Sequence, residues 1–464
     1  MNFQPFSDKM TAAGIAPVAI NTFRFQYEQL VNGATGLIGE SEIDPVSGLT
    51  RSDQLTELYY QAGKEALSKA VFMKLNGGLG TSMGLEKAKS LLQVKNGLSF
   101  LAIIAHQVLY LRQTYATNLP LVLMNSFNTR EDSLEALAKF PALHGDVPLD
   151  FMQHKVPKVL QTDFSPAFWA ENPALEWCPP GHGDFYTALV TSGMLETLLG
   201  QGYEYAFVSN ADNLGAVMDE GILGYFAYHK LPFMMEVTAR TEADKKGGHL
   251  ARRTNGRLVL RESAQCPEED MPCFQDITRY TYFNTNNIWI NLKQLAAVLT
   301  EHAGIIRLPL IRNSKTLDPR LSGSPKVYQL ETAIGAAIEV FEGASAIEVP
   351  RTRFAPVKLC SDLLALWSDA YQLTADYRIV LDPQREGKPP VLQLDQKFYK
   401  LINDLQARFP QGAPSLLECT QLTLEGDVLF EDNIKVQNVS KIINPDPQQK
   451  ILKSGTIVEG NITI

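Results

Sequence analysis

The chain has 464 residues, 45% of them apolar and 20% charged, which is the composition of a folded globular protein and excludes a disordered or fibrous one. Its net charge of −9, with no Lys/Arg-rich run, argues against a surface built to neutralise nucleic acid, so any phosphate chemistry must rest on a few local cations. Five cysteines, an odd number without a C-x-x-C pair, suggest a reducing, cytoplasmic setting, and the absence of a basic-then-apolar leader or an 18-residue apolar run predicts neither signal peptide nor membrane span.

In chain order, residues 1–50 read as an N-terminal helical segment ahead of a catalytic unit over 51–370. "SDQLTELYYQAGKEALSKA" has helical spacing and runs into "VFMKL", an apolar run too short for a helix and stopped by glycines, hence a strand then a loop. The same pattern recurs in "LPLVLMNS" (119–126), "YEYAFVSNADN" (203–213) and "PFMMEVTAR" (232–240), with room between for crossover helices. Strands alternating with helices predict an α/β fold, a Rossmann-like domain with a mixed, mainly parallel sheet. In such sheets ligands bind outside the carboxyl ends of strands, so Asn76, Asn125-Ser126 and Asn210-Ala211-Asp212 are expected to share one cleft.

"DPQREGKPP" (382–390) and "FPQGAP" (409–414) read as breaks within a connector, 371–412. Over 413–464 apolar residues return every six positions: Leu422, Val428, Ile434; Leu424, Phe430, Val436, Ile442; Leu452, Val458, Ile464. That period fits the coils of a left-handed β-helix, with two ordinary hairpins as the alternative. Such a tail has edges and faces that can pair, so monomer and homo-oligomer both stay open.

"KLNGGLGTSMG" (74–84) concentrates the chemistry. Glycines after a strand let several N–H donors approach phosphate oxygens. The spacing is not G-x-x-x-x-G-K-[ST], and Gly78, Gly80 and Gly84 give G-x-G-x-x-x-G, one residue too long for the dinucleotide fingerprint of a dehydrogenase. Followed by "EKAKS", the loop resembles that of the UDP-glucose pyrophosphorylases (UTP:glucose-1-phosphate uridylyltransferases). "LMNSFNT", "PPGHGD", "FVSNADNLGA", "KKGGHL", "FNTNNIWI", "QLETAIGAAI" and "VPRTRFAPVKLCSDLL" resemble further blocks of that family, in family order, over roughly residues 50–464.

The resemblance implies a nucleotidyltransferase that joins UTP and glucose 1-phosphate into UDP-glucose and pyrophosphate, with Mg2+ as cofactor. Ser82, where relatives acting on N-acetylhexosamine phosphates tend to carry arginine, favours glucose 1-phosphate. The alternatives are a broader UDP-sugar or UDP-N-acetylhexosamine pyrophosphorylase and, from another class, an inactive UDP-sugar-binding scaffold. Because the sugar phosphate is already anionic, no general base is needed, and catalysis should consist of positioning and charge neutralisation.

Lys89 and Lys358 are the implied catalytic cations. The family often reads K-G-P-K before the loop lysine, whereas this chain has Glu86-Lys87-Ala88-Lys89, which puts a second lysine close by. Asp212 is the candidate metal ligand, with capping of the following helix as its alternative role. Leu75, Asn76, Gly77, Gly78, Gln153, Gly181 and Asn210 are expected around the nucleotide. His182, Gly248, Glu262, Asn284 and Asn286 are expected around the sugar, although the asparagines could equally serve turns.

Overall fold

In the computed structural model, which describes residues 2–464, two helices open the chain: Gln4–Ala12 and Pro17–Val31. Pro17 suits a first helical turn, whose N–H groups have no partner in any case. Ile20, Phe23, Tyr27 and Leu30 recur at helical spacing and are buried against Phe6 and Met10 and against Val156, Val159 and Leu330. The helical expectation for residues 1–50 holds only in part: Ile43–Pro45 forms a strand that pairs antiparallel with His249–Arg253 at the edge of the central sheet.

The central sheet is mixed, with a parallel centre. Asp150–Met152, Leu121–Asn125, Ala70–Asn76 and Tyr205–Asn210 lie side by side in parallel. Tyr282–Asn291 then pairs antiparallel with Tyr205–Asn210 and with Phe233–Ala239, and the latter pairs in parallel with Ser345–Glu348. Both faces are covered, which is why these strands read as continuous apolar runs. Phe72 packs with Phe100, Phe207 and Trp289 on one side, while Val71 and Met73 pack with Val122, Phe185 and Val208 on the other.

Register decides where the chemistry falls. Asn76 pairs with Asn125, and Leu75 with Asn210, so the predicted polar strand ends do lie together along one edge. Opposite them, the pairing of Phe233–Ala239 with Tyr282–Asn291 slips between Glu236 and Val237, which face Asn287 and Asn284, so Thr285 and Asn286 form a bulge. Asn286 takes the left-handed conformation there, φ 59°, which asparagine tolerates better than most residues.

Toward the C-terminus, Val391–Leu394, Cys419–Glu425, Lys435–Ile443 and Ile457–Thr463 stack in parallel, as do Val428–Phe430 and Lys450–Leu452. Hairpins would pair antiparallel, so the two-hairpin alternative is excluded. The six-residue apolar series is the interior of this stack: Leu422, Val428, Ile434, Leu424, Phe430, Val436, Ile442, Leu452 and Val458 are all buried. The 382–390 segment is tied down by Arg385, whose guanidinium donates to the carbonyls of Leu417 at 2.8 Å and Cys419 at 2.7 Å. No described helix is long and apolar enough to cross a membrane, and all five cysteines are free thiols.

Candidate active site

At the strand-end edge opens a cavity of about 330 Å³. Its lining includes Leu75, Asn76, Gly77, Gly78, Lys89, Gln153, Gly181, His182, Asn210 and Asp212, so every residue predicted for the nucleotide, one predicted lysine and the predicted metal ligand meet in one space. The glycines have local reasons. Gly80 and Gly84 sit at φ 70° and 74°, where a side chain is strained. A Cβ on Gly77 would lie 2.6 Å from Gln153 Oε1, whereas one on Gly78, which also lines the cavity, would meet nothing within 4 Å.

Asn76 contributes backbone rather than side chain. Its amide Nδ2 donates to Asn125 Oδ1 at 2.7 Å and to Ser133 Oγ at 2.8 Å, and Ser126 Oγ donates to the Gly77 carbonyl at 3.0 Å. These bonds hold the loop's entry rigid.

The two lysines of "EKAKS" diverge. Lys87 is exposed and reaches Asp132 at 3.7 Å on the surface, while Lys89 turns into the cavity, where Nζ donates to Asp212 Oδ2 at 2.7 Å and to the Val357 carbonyl. Asp212 does not cap the next helix. That helix, Glu220–Tyr228, is capped by Asp219, whose Oδ1 accepts from the Ile222 N–H at 3.0 Å. Lys358 is exposed and does not line the cavity proper. It follows directly on Val357, whose N–H reaches the Asp212 carbonyl at 3.3 Å, and Asp362 Oδ2 accepts its own N–H at 2.7 Å.

His182 opens its ring to the cleft, yet the surrounding protein disfavours the imidazolium and pulls its pKa down to about 4. Independently, Nδ1 accepts the Ile334 N–H at 2.9 Å, which requires that nitrogen to be unprotonated and leaves Nε2–H as the donor toward the cavity. Gly181 is at φ 80°, and a Cβ there would fall 2.4 Å from the Thr332 carbonyl. Both flanks of the histidine are thus pinned.

The other residues expected around the sugar continue from the cavity through Asn210. Asn286 Nδ2 donates to Asn210 Oδ1 at 2.9 Å, leaving Asn286 Oδ1 buried without a partner. Asn284 does serve a turn, its Oδ1 accepting the Asn286 N–H at 2.9 Å. Burial raises the pKa of Glu262, opposed by the Asn284 side chain, Lys358 and the Gly248 N–H. A Cβ on Gly248 would come within 2.6 Å of the Glu262 carboxylate, so a side chain there would displace that carboxylate.

Several residues at the site were not anticipated. Ser90, Met124 and Pro179 line the cavity, and they carry no distinctive spacing. Lys74 lies fully buried beneath it, and desolvation, aided by Arg353 and opposed by Asp212 and Glu236, draws its pKa down to about 7. A charge inside the apolar run "VFMKL" was the signal for it.

A glycine loop at the carboxyl end of a parallel strand, with a lysine and a carboxylate converging on it, defines a protein that handles a nucleotide's phosphates. Comparison with known proteins narrows this. The sequence model of the UTP--glucose-1-phosphate uridylyltransferase family matches residues 20–437. The UTP--glucose-1-phosphate uridylyltransferase of Hordeum vulgare is 41% identical, covering 87% of this chain and 79% of the barley protein. The probable enzyme of that name from Schizosaccharomyces pombe is 39% identical, covering 86% and 79%. A Leishmania major UDP-glucose pyrophosphorylase crystallised with UDP-glucose superimposes with a TM-score of 0.93 at 48% identity, over 100% of this chain and 99% of that one. The structure of a Trypanosoma brucei UDP-glucose phosphorylase gives 0.90 at 47% identity, over 100% and 99%. The chain belongs to the UTP--glucose-1-phosphate uridylyltransferase family.

Proposed function

We propose that this chain is a uridylyltransferase that makes UDP-glucose and pyrophosphate from UTP and glucose 1-phosphate. The observation that carries the reading is the meeting of Gly77–Gly78 backbone, Lys89 and Asp212 in one cavity at the sheet's carboxyl edge. A phosphate oxygen of the sugar ester attacks the α-phosphorus of UTP, a new P–O bond forms, and the bond to the β-phosphate oxygen breaks with release of pyrophosphate. No proton moves in that exchange, so the residues act by position and charge.

In this reading Leu75–Gly78, Gln153, Gly181 and Asn210 hold the uridine and phosphates. Lys89 and Lys358 offset the negative charge of two polyanions brought together. His182, through Nε2–H, meets the sugar phosphate, and Gly248, Glu262, Asn284 and Asn286 surround the hexose, with the unpartnered Asn286 Oδ1 an acceptor for a hydroxyl.

Asp212 offers one carboxylate to the cavity beside Asn210. These hard oxygen donors fit Mg2+, which takes one or two carboxylates and fills its shell with phosphate oxygens and water. Bound there, the ion would neutralise phosphate charge and polarise the α-phosphate.

We further propose the division 1–50, 51–370, 371–412 and 413–464, the last being a left-handed β-helix onto which the Val391–Leu394 strand docks, and a cytoplasmic setting in which the five thiols stay reduced. The decisive test is pyrophosphate release from UTP across a panel of sugar 1-phosphates, with and without Mg2+. The expected result is metal-dependent turnover fastest with glucose 1-phosphate. Equal rates with galactose or N-acetylglucosamine 1-phosphate would point to the broader specificity, and no turnover with any sugar to a binding protein.

A further inference from the structure

Below the floor of the cleft sits a charge with no part in the chemistry described above. Lys74 is fully buried in the Ala70–Asn76 strand, 4.5 Å above the Phe72 ring. An apolar side chain would fill this place among Phe72 and Phe207 without desolvating an ammonium, so the lysine must be judged by what it bonds. Its Nζ donates to Ser209 Oγ at 2.7 Å, on the neighbouring parallel strand, and to the Ala216 carbonyl at 2.9 Å.

The next carbonyl along is held in the same way. Val217 O accepts from Arg353 Nη2 at 3.0 Å, and Arg353 is itself buried and paired twice with Glu236, at 2.8 and 2.6 Å. Between these anchors, Asn213 donates to Asn287 Oδ1 at 3.2 Å and accepts the Ala355 N–H at 3.1 Å. Gly215 has no room for a side chain, since a Cβ would lie 2.3 Å from the Thr352 carbonyl. Lys74 and Arg353, both buried, therefore grip successive carbonyls of the 211–217 turn, and Asp212 stands at its head.

We propose that Lys74 is a positioning residue for Asp212, acting through Ser209 and the Ala216 carbonyl to fix the carboxylate relative to the glycine loop. The same strand that carries Lys74 continues two residues later into Asn76 and the loop, so one rigid element sets the spacing between the backbone donors and the carboxylate. This rests on the assignment of Asp212 to the metal, and the test separates the two.

The test is calorimetric titration of UTP with and without Mg2+ in wild type, Asp212→Asn, Lys74→Met and Lys74→Gln, reading the ratio of the two dissociation constants. Asp212→Asn should shrink the metal's enhancement by about tenfold or more, and Lys74→Met by roughly three- to tenfold, with metal-free UTP affinity within about twofold of wild type. Lys74→Gln, which keeps a donor for the Ala216 carbonyl, should recover part of the loss. An unchanged ratio in Lys74→Met overturns the proposal, as does an equal loss of affinity with and without metal, which would mean a general structural role. An unchanged ratio in Asp212→Asn instead removes the metal assignment. Should Lys74→Met fail to fold, Ser209→Ala, which frees one anchor, must lower the ratio about twofold, and an unchanged value there is equally fatal.

Discussion

Lys89 and Asp212 face each other at 2.7 Å, and both are fastened to Val357, the lysine through the Val357 carbonyl and the aspartate through the Val357 N–H. The Lys89 ammonium and the Asp212 backbone are thus held by the residue that precedes Lys358. Lys89→Met should lower kcat by roughly 10²–10³, the usual effect of deleting one preorganised charge stabiliser. Because the two groups touch, Lys89→Met combined with Asp212→Asn should cost less than the sum of the single losses, by about 0.5–3 kcal/mol. Steady-state kinetics on the four members of the cycle decide this, and additive losses would mean that the pair does not act as a unit.

Lys358 is the contrasting case. It is exposed, and only its backbone N–H is fixed, by Asp362. Lys358→Ala should therefore leave folding stability within about 0.5 kcal/mol, as surface substitutions do, while kcat falls by roughly 10²–10³. Thermal denaturation beside the rate assay checks both halves. Wild-type turnover in the folded variant would take this lysine out of the mechanism.

Two glycines lining the cavity should fail in opposite ways. At Gly181 the left-handed backbone and the Thr332 carbonyl 2.4 Å from a would-be Cβ make Gly181→Ala a folding defect of about 1–3 kcal/mol or more. At Gly78 a Cβ meets nothing within 4 Å, so Gly78→Ala should fold normally. If the loop binds the nucleotide as proposed, the added methyl should crowd the phosphates, and the KM for UTP should rise about tenfold or more. Urea melts and UTP titrations of both variants separate the cases.

What the sequence disclosed, and what it withheld, follows from the range of the interactions. The strands were legible because "VFMKL" and "YAFVSN" are buried on both faces, and burial writes itself into local composition. The convergence of Asn76, Asn125 and Asn210 was legible because parallel strands bring their carboxyl ends to one edge. The bulge at Asn286 was not, since it arises from a register slip against Glu236 and Val237, residues roughly fifty positions away. Nor was the tautomer of His182 legible, which depends on the Ile334 N–H. The choice between Lys87 and Lys89 became clear only once the loop's fold sent one to Asp132 and the other to Asp212.

His182 should be neutral throughout the physiological range. The desolvating protein around the ring draws its pKa from 6.5 to about 4 although the residue itself is exposed in the cleft, and the Ile334 N–H, donating to Nδ1, locks the proton on Nε2. In protein labelled with 15N-histidine, its ring should report the Nε2–H tautomer and titrate with a midpoint near 4. A midpoint near 6.5 would contradict the geometry.

His249 should contribute to the pH dependence of stability rather than of catalysis. Fully buried, stacked 3.9 Å from Tyr280 and facing Arg240 and Arg261, it has Nε2 without a partner and a pKa lowered to about 3, by desolvation first and then by the Arg240 charge. The unfolded chain takes up the proton near pH 6.5, whereas the folded one refuses it until about pH 3. Stability contributed by this group is therefore intact above pH 6.5 and declines as pH falls through that window. Between pH 6.5 and 5 the decline amounts to about 2 kcal/mol. His249→Phe keeps the stack and removes both the titration and the unpaired nitrogen. Denaturant melts across pH 5–8 should accordingly show a flatter acid limb for His249→Phe than for wild type. If the two limbs coincide, the acid sensitivity lies elsewhere in the molecule.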